Sequence, residues 1–304
     1  MHYYVGVDIG GSSIKIGLLD ESGVIQDKES FSTPKDKTTI LDDIAQTIGN
    51  YQQKYEIEAV GLSVPGIVEE NGYLTTAGAI KALYGINIKE EIGKRTDLFV
   101  HVENDANAAS IAEKWGGVAQ DVANYISLVI GTGIGGCLVV NNEIYRGAHA
   151  RSGEFGWMLL DDNQDDLNLS TMNLQAATVG GLLRIYNLKS GEKINDARVI
   201  YKRAEDGEYL AQTVLAKFHR KLAQGILNVA VSFDPELVVV GGGISANKTF
   251  LNDLQLAYQQ LQEEHSALVD MGFPKIVPAQ FGNDAGIIGA VYSLKITLAK
   301  KANN

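Results

Sequence analysis

The sequence predicts an α/β protein built of two related halves. Two glycine-rich segments, VDIGGSSIK at 7–15 and VIGTGIGG at 129–136, each interrupt a pair of apolar, β-branched runs. This pattern is typical of a tight strand-turn-strand hairpin. Each hairpin is followed by a polar turn and a further short strand, and the two copies start about 120 residues apart. A repeat of this kind indicates two half-domains that face each other.

The first half continues with elements of alternating type, as an α/β sheet requires. Apolar residues at helical spacing predict helices, and short apolar runs that end at turn residues predict buried strands. In order, we expect a helix over 38–54, a strand over 59–64, a helix near 88–95, a strand over 98–102 and a helix over 105–115. Gly116 and Gly117 close the last of these helices, so the N-terminal domain is predicted to span 1–117.

The second half repeats this plan with an insertion of about 90 residues after its hairpin. The elements that follow are predicted as a helix over 208–233, a strand over 237–240, a helix over 248–264, a strand over 275–277 and a helix over 285–299. The C-terminal domain is thus expected to span 118–284. The last helix is expected to cross back, so that 285–304 complete the N-terminal domain.

Composition favours a cytoplasmic metabolic enzyme. The chain has 304 residues, a net charge of −11 and a single cysteine, Cys137. An acidic chain without a stripe of Lys and Arg is not expected to bind nucleic acid. No apolar run has the length needed to cross a bilayer, and the N-terminus enters a strand without a basic leader. One cysteine excludes intramolecular disulfides and fits a reducing compartment.

The paired glycine turns favour nucleotide binding. Glycines let backbone N–H groups approach an anion closely, although either hairpin alone could be an ordinary turn. GTGIGG runs into a strand rather than a helix, which argues against a dinucleotide-binding fingerprint. A P-loop fails because Asn247 stands where that motif needs glycine. The histidines are scattered and have no cysteine partners, so a zinc site is not expected.

Two acidic residues are candidates for chemistry. Asp105 follows a strand and opens a helix, where the helix N-terminus would keep its carboxylate ionised and able to accept a proton from a hydroxyl group. The alternative is that Asn104 or Asp105 only caps the helix. Glu154 lies between two glycines and could bind sugar hydroxyls, although the alternative is an ordinary surface glutamate.

Seven motifs together resemble the ROK family of sugar kinases, in the family's order and over nearly the whole chain. They are DIGGSSIK at 8–15, SVPG at 63–66, ENDAN at 103–107, GTGIGGCLV from 131, GEFG at 153–156, GGGIS from 241 and GNDAGIIGA from 282. The resemblance implies two actin-like (ribonuclease H-like) α/β domains with a nucleotide and sugar cleft between them. It also implies ATP and Mg²⁺ as cofactors and a homodimer.

The resemblance further implies roles for individual residues. Asp105 would be the base acting on the 6-hydroxyl of the sugar, and Asp8 would help hold the magnesium that accompanies ATP. The residues implied to bind ATP are Asp8, Gly10, Gly11, Ser12, Lys15, Gly131, Thr132, Gly133, Gly135, Gly242 and Gly243. Those implied to bind the sugar include Gly78, Asn104, Asp105 and Glu154.

The chain departs from many relatives around 157–180. They carry a histidine after the GE-x-G element and then a cysteine-rich zinc loop that ends in a sugar-binding glutamate. Here Trp157 takes the histidine position and no cysteine follows, so no zinc is expected. Asn173 or Gln175 could replace the glutamate. An aromatic residue at this position is similar to the β-glucoside kinase branch, and Trp157 would either stack on a sugar ring or pack in the core.

These observations predict transfer of the γ-phosphate of ATP to the 6-hydroxyl of a glucoside or hexose, with a β-glucoside as the expected acceptor. Glucokinase and N-acetylmannosamine kinase are the alternatives within the same class. A sugar-sensing regulator without catalysis is the alternative of another class, because ROK-like chains include repressors with an added DNA-reading segment. A filament-forming or chaperone ATPase of the same fold is disfavoured by the sugar-site motifs.

Overall fold

The computed structural model describes residues 2–163 and 165–302, which fall into two compact units. The first unit consists of Met1–Asp121, Arg146–Arg151 and Asn283–Asn304, and the second of Val122–Tyr145 and Ser152–Gly282. Each unit contains one five-stranded sheet. The chain therefore leaves the second unit after Tyr145, adds a short segment to the first unit, and returns at Ser152.

The sheet of the first unit has the order β3-β2-β1-β4-β5. The hairpin strands β1 and β2 pair antiparallel, and so do β2 and β3, whereas β1, β4 and β5 run parallel. The predicted first hairpin is thus confirmed. The strands are β1 (Tyr3–Ile9), β2 (Ser13–Asp20), β3 (Ile25–Ser32), β4 (Ile57–Val64) and β5 (Phe99–Asn104).

Three helices accompany this sheet at nearly the predicted positions: α1 (Lys37–Gln52), α2 (Ile88–Thr96) and α3 (Asp105–Gly116). Each begins at a side chain that accepts a hydrogen bond from a backbone N–H of the first turn. The capping residues are Asp36, Asn87 and Asn104. The apolar faces of α1 and α2 pack with the strands into one buried core.

The second unit repeats the strand plan with the order β10-β9-β6-β7-β8. Its hairpin β6–β7 is antiparallel, as predicted, and β6, β9 and β10 run parallel. The strands are β6 (Tyr125–Ile130), β7 (Ile134–Val140), β8 (Glu143–Ile144), β9 (Leu237–Gly241) and β10 (Lys275–Pro278).

Helices α4 (Met172–Ala176), α5 (Arg184–Ser190), α6 (Ala197–Glu205), α7 (Tyr209–Phe233) and α8 (Lys248–Glu264) belong to the second unit. A short π-helix, Thr178–Leu183, lies between α4 and α5. The core is built mainly from one face of α7, from α8 and from the inner strands.

The last helix, α9 (Ala285–Ala302), belongs to the first unit and crosses its sheet. Glycines permit the close approach. A side chain at Gly6 or Gly61, on the neighbouring strands β1 and β4, would collide with the backbone of α9, and one at Gly289 would collide with the backbone of α3. The single glycine in each of β1 and β4 therefore marks the place where the backbone of α9 approaches the sheet closely.

Candidate functional site

The parallel strands of the first unit end in polar side chains at one edge of the sheet. The register places Asp8 of β1 beside Ser63 of β4, and Ser63 beside Glu103 of β5. Asn104 ends β5, and Asp105 begins α3. The carboxyl edge of a parallel α/β sheet is where ligands usually bind.

Asp8 is held by side chains from the two strands that flank β1. Its Oδ1 accepts a hydrogen bond of 2.9 Å from Ser63 Oγ, and its Oδ2 lies 3.2 Å from Lys15 Nζ. Lys15 also donates to the carbonyl oxygen of Asn283, which precedes α9. The Asp8 side chain remains 18% exposed. It is therefore a fixed carboxylate, with one edge open to a ligand.

The first glycine turn, Gly10–Ser12, follows Asp8 directly and is fixed from both sides. Gly10 N–H donates to the carbonyl of Ser13 at 2.9 Å, which closes the turn. Thr33, at the end of β3, donates from its hydroxyl to Gly10 O and from its N–H to Ser12 O. The turn is thus preorganised before any ligand arrives.

Gly78 lies on a loop that packs beside this turn. A side chain at Gly11 would touch Ala79 at 3.3 Å, and one at Gly78 would touch Pro65 at 3.1 Å. Gly78 has φ of 55°, and its carbonyl accepts a hydrogen bond from Tyr84 Oη at 2.7 Å. The structure therefore brings Gly78 to the same edge as the first glycine turn.

Asn104 is the N-cap of α3, as one of the sequence alternatives supposed. Its Oδ1 accepts from the backbone N–H groups of Ala106 and Asn107, and its Nδ2 donates to Gly66 O at 2.8 Å. Asp105 is not the cap: it is the first helical residue, it is exposed, and its Oδ1 accepts from Ala106 N–H. The partial positive charge at the start of α3 favours its ionised form.

The second glycine turn, Gly131–Gly133, is also closed by a backbone hydrogen bond, which Gly131 N–H donates to Gly133 O at 2.9 Å. Asn173 Oδ1 accepts from Ile134 N–H at 2.6 Å and lies against Gly133. The π-helix adds two further bonds, from Val179 and Gly180 N–H groups to the carbonyls of Gly131 and Thr132.

Gly242 and Gly243 lie next to the second turn. Gly241, the last residue of β9, pairs with Val129 of β6. Gly242 has φ of 90°, and a side chain there would collide with the backbone of Ile130. The structure therefore brings Gly242 to the end of β6, where the glycine turn begins. Gly135 lies at the start of β7, on the other side of that turn.

Glu154 and Trp157 lie on a short helical turn of the second unit. Burial raises the pKa of Glu154 above its ordinary value, and a hydrogen bond from the Trp157 side chain opposes this rise. Trp157 is 65% exposed. Of the two alternatives for Trp157, packing in the core does not fit this exposure, because the hydrogen-bonded position beside Glu154 leaves most of the indole outside.

Asn173 and Gln175, the two candidate replacements for the sugar-binding glutamate of many relatives, have different surroundings. Asn173 contacts the glycine turn and lies against Gly156, so it is close to the Glu154 segment. Gln175 Nε2 instead donates to Asp161 and to Leu169 O. The structure thus places Asn173, and not Gln175, with the other candidates of the second unit.

Two features are absent from the described residues, 2–163 and 165–302. There is no group of three or more His, Cys, Asp and Glu side chains arranged to hold a metal ion. No helix in these ranges combines the length and the apolar character needed to span a bilayer.

The sequence reasoning missed four residues that support the edge of the first unit. They are Thr33 and Ser63, which hold the first turn and Asp8, and the pair Glu103 and Arg146 beside Asn104. Ser63 and Glu103 lie inside the family motifs SVPG and ENDAN, so those motifs could have pointed to both residues. Arg146 lies in no motif and could be found only from the structure.

Comparison with known proteins identifies the class. The ROK family model matches residues 4–296, and the chain belongs to this family. A β-glucoside kinase of Klebsiella pneumoniae is 32% identical over 290 residues, covering 94% of this chain and 93% of that protein. A glucokinase of Thermotoga maritima is 28% identical and covers 96% of each chain.

Solved structures confirm the predicted α/β class with two actin-like units. A ROK family protein from Streptococcus pneumoniae in complex with sucrose has a TM-score of 0.88 and 30% identity, with 98% of this chain and 99% of that chain covered. A ROK glucokinase from Streptomyces griseus, in complex with glucose and AMPPNP, has a TM-score of 0.80 and 26% identity, with 95% and 97% covered.

Proposed function

We propose that this chain is an ATP-dependent sugar kinase that transfers the γ-phosphoryl group to the 6-hydroxyl of a β-glucoside. The observation that carries the proposal is the shared edge of the first sheet. There a fixed carboxylate (Asp8) lies near the end of β1, a preorganised glycine turn (Gly10–Ser12) follows β1, and a carboxylate at a helix N-terminus (Asp105) follows β5, which runs parallel to β4 and β1. The similarity to named sugar kinases supports the same conclusion.

The glycine turns are the proposed phosphate ligands. Gly10–Ser12 carries only one small side chain and Gly131–Gly133 only that of Thr132, and both turns are already closed by backbone hydrogen bonds. Backbone N–H groups can therefore point at phosphate oxygens at little cost in conformational entropy. Lys15 adds a positive charge beside the first turn, and we assign Gly242 and Gly243, which have no bulk, to the adenosine.

Asp8 fits the role of an indirect magnesium ligand. Mg²⁺ is usually held by one or two carboxylates together with substrate phosphates and water, so a single fixed carboxylate beside the phosphate turn suffices. When bound with ATP, the ion would neutralise charge on the phosphates. Lys15 and Ser63 keep the carboxylate of Asp8 in place for it.

Asp105 is the proposed base. As the sugar oxygen bonds to the γ-phosphorus and the bond to the ADP oxygen breaks, the hydroxyl proton passes to the carboxylate of Asp105. The N-terminus of α3 keeps that carboxylate ionised before the transfer. Asn104 orients the turn through its bonds to α3 and to Gly66, and its second amide N–H can donate to a sugar oxygen.

The choice of a β-glucoside rests on Trp157. Its exposed indole offers a flat apolar face of the kind that stacks on a pyranose ring, and Glu154 beside it supplies a hydrogen-bond acceptor. Asn173, against Gly156, is the second amide we assign to the sugar, with Gln175 in support through Asp161. Gly78 would contact the sugar by its backbone.

The proposal includes a homodimer in a cytoplasmic setting, where ATP is available, and no nucleic-acid partner. The acidic charge of −11 supports the last point. A regulator that binds sugar without catalysis is the competing class.

A coupled assay of ADP release tests the proposal. Cellobiose and gentiobiose are compared with glucose, mannose and N-acetylmannosamine, each with MgATP and with no sugar. We expect turnover with the β-linked disaccharides to exceed that with the hexoses. A preference for a hexose would overturn the β-glucoside assignment alone. If calorimetry shows that a sugar binds but no sugar stimulates ADP release from ATP, the regulator is favoured.

A further inference from the structure

An ion pair between the buried Glu103 and the half-exposed Arg146 lies close to the proposed base, because Glu103 is two residues before Asp105. Glu103 is only 1% exposed, yet its pKa is held below the ordinary value. Burial raises this pKa, but two hydrogen bonds and the charge of Arg146 outweigh the effect of burial. Arg146 Nη1 and Nη2 lie 2.8 and 2.6 Å from the two oxygens of Glu103, in the bidentate geometry of a strong pair.

The same carboxylate holds the turn that carries Asn104 and Asp105. Glu103 Oε1 also accepts from the backbone N–H of Asn104 and from Asn107 Nδ2, both at 3.0 Å. Asn104 in turn caps α3. One buried carboxylate thus binds the residue before the base and the first turn of the helix after it.

Glu103 is also hydrogen-bonded to α9, through Ser293. Ser293 Oγ donates to Glu103 Oε2 at 3.1 Å and lies 2.9 Å from His101 Nε2. Burial lowers the pKa of His101, although the charge of Glu103 opposes this, whereas an arginine stays charged. Arg146 is therefore the cation that compensates Glu103.

Arg146 is also the first residue of the segment Arg146–Arg151, which the chain adds to the first unit. Most of this segment is exposed, and Gly147 and Ala150 have φ of 71° and 52°. Glu154 follows three residues after its end. The bond to Glu103 therefore anchors the stretch of chain that leads to a candidate sugar ligand.

We propose that Arg146 is a positioning residue for phosphoryl transfer, which acts by pairing with Glu103 and thereby fixing the turn that places Asp105. This inference rests on the proposed kinase function. Arg146 itself touches neither phosphate nor sugar in this scheme. Its removal leaves the buried Glu103 carboxylate with hydrogen-bond donors but without the cation that pairs with it, and an uncompensated buried charge is far costlier than replacing both charges with neutral groups. The turn would then rearrange to hydrate Glu103.

A double-mutant cycle tests the inference. Arg146→Met is expected to lower kcat by about 10², because the base is displaced, while KM for MgATP stays within about threefold. Adding Glu103→Gln to Arg146→Met removes the uncompensated charge. The double variant is therefore expected to have a kcat at least about tenfold higher than that of Arg146→Met. Arg146→Lys, which keeps the charge but not the fork, should lie between wild type and Arg146→Met.

Arg220→Met is the matched control. Arg220 is 51% exposed, against 50% for Arg146, and also makes two bonds to one carboxylate, but its partner Glu264 is 57% exposed. This control should leave kcat unchanged. Wild-type kcat in Arg146→Met, or a loss that Glu103→Gln does not recover, would overturn the inference.

Amide hydrogen exchange over residues 103–108 gives a readout without activity. We expect faster exchange there in Arg146→Met, recovery in the double variant, and no change in Arg220→Met. If Arg146→Met does not fold, Arg146→Lys and the double variant carry the same comparison. If the wild type phosphorylates no sugar, the proposed function fails, and unchanged exchange would separately refute the positioning role.

Discussion

Gly286 offers a way to move Asp8 without altering its chemistry. The residue lies in the first turn of α9, directly against the Asp8 carboxyl group. A methyl group built at Gly286 would lie 2.5 Å from Asp8 Cγ, whereas ordinary contact begins at 3.4 Å. In Gly286→Ala the carboxylate must therefore retreat by about 1 Å, away from its bonds to Ser63 and Lys15.

A displacement of about 1 Å in a catalytic constellation can cost about 10² in rate. The stability effect should be small, because alanine gains up to about 1 kcal/mol of helix propensity over glycine and the lost hydrogen bond costs about as much. We therefore expect kcat/KM for MgATP to fall about 10², with an unfolding midpoint close to that of the wild type.

Gly49→Ala is the matched control, since Gly49 lies in α1 with nothing within 4 Å of a built methyl group. It should leave activity unchanged and raise stability by about 0.5–1 kcal/mol. The measurements are ADP release against MgATP concentration and thermal unfolding by circular dichroism. Wild-type kinetics in a folded Gly286→Ala would refute the reasoning that the position of Asp8 matters.

Three further results are expected. Asp105→Asn should keep its fold and sugar binding but lose about 10²–10⁴ in kcat. Asp36→Asn, the same change at the start of α1, should leave kcat unchanged. A kcat for Asp105→Asn close to that of Asp36→Asn would remove Asp105 from the role of base. Trp157→Ala should raise KM for cellobiose about tenfold more than KM for glucose. Tyr209→Ala removes another exposed aromatic ring and is the control, which should change neither KM. An equal effect of Trp157→Ala on both sugars would argue against stacking. Burial lowers the pKa of His219 to about 4. The unfolded chain therefore binds a proton between about pH 6.5 and pH 4 that the folded chain does not, and stability falls as the pH drops through that range. Between about pH 7 and about pH 5 the free energy of unfolding, measured in urea, should fall by about 2 kcal/mol more in the wild type than in His219→Gln. Equal decreases would show that His219 does not cause the loss of stability.

Much of the fold could be predicted because its signals are local. Strand-turn-strand patterns around Gly10 and Gly131 contain both the apolar alternation and the glycines that the turns need, so the hairpins were found with nearly correct bounds. The helices predicted over 208–233 and 248–264 agree closely with α7 and α8 for the same reason.

Other features depended on contacts that no window of sequence contains. The surroundings of Trp157 are an example: an indole can be buried or exposed, and only the turn beside Glu154 decides. Asn173 and Gln175 are two positions apart and chemically alike, yet one bonds a glycine turn and the other bonds Asp161.

The sequence by itself determined the order of elements, the paired glycine turns and the carboxylate at the start of α3, because each depends on residues close together in the chain. Only the tertiary structure decided that Asp8 is held by Ser63 and Lys15, and that Arg146 neutralises Glu103. The physical reason is that a buried charge must find its partners wherever the fold brings them, and Glu103 and Arg146 lie 43 residues apart in the chain.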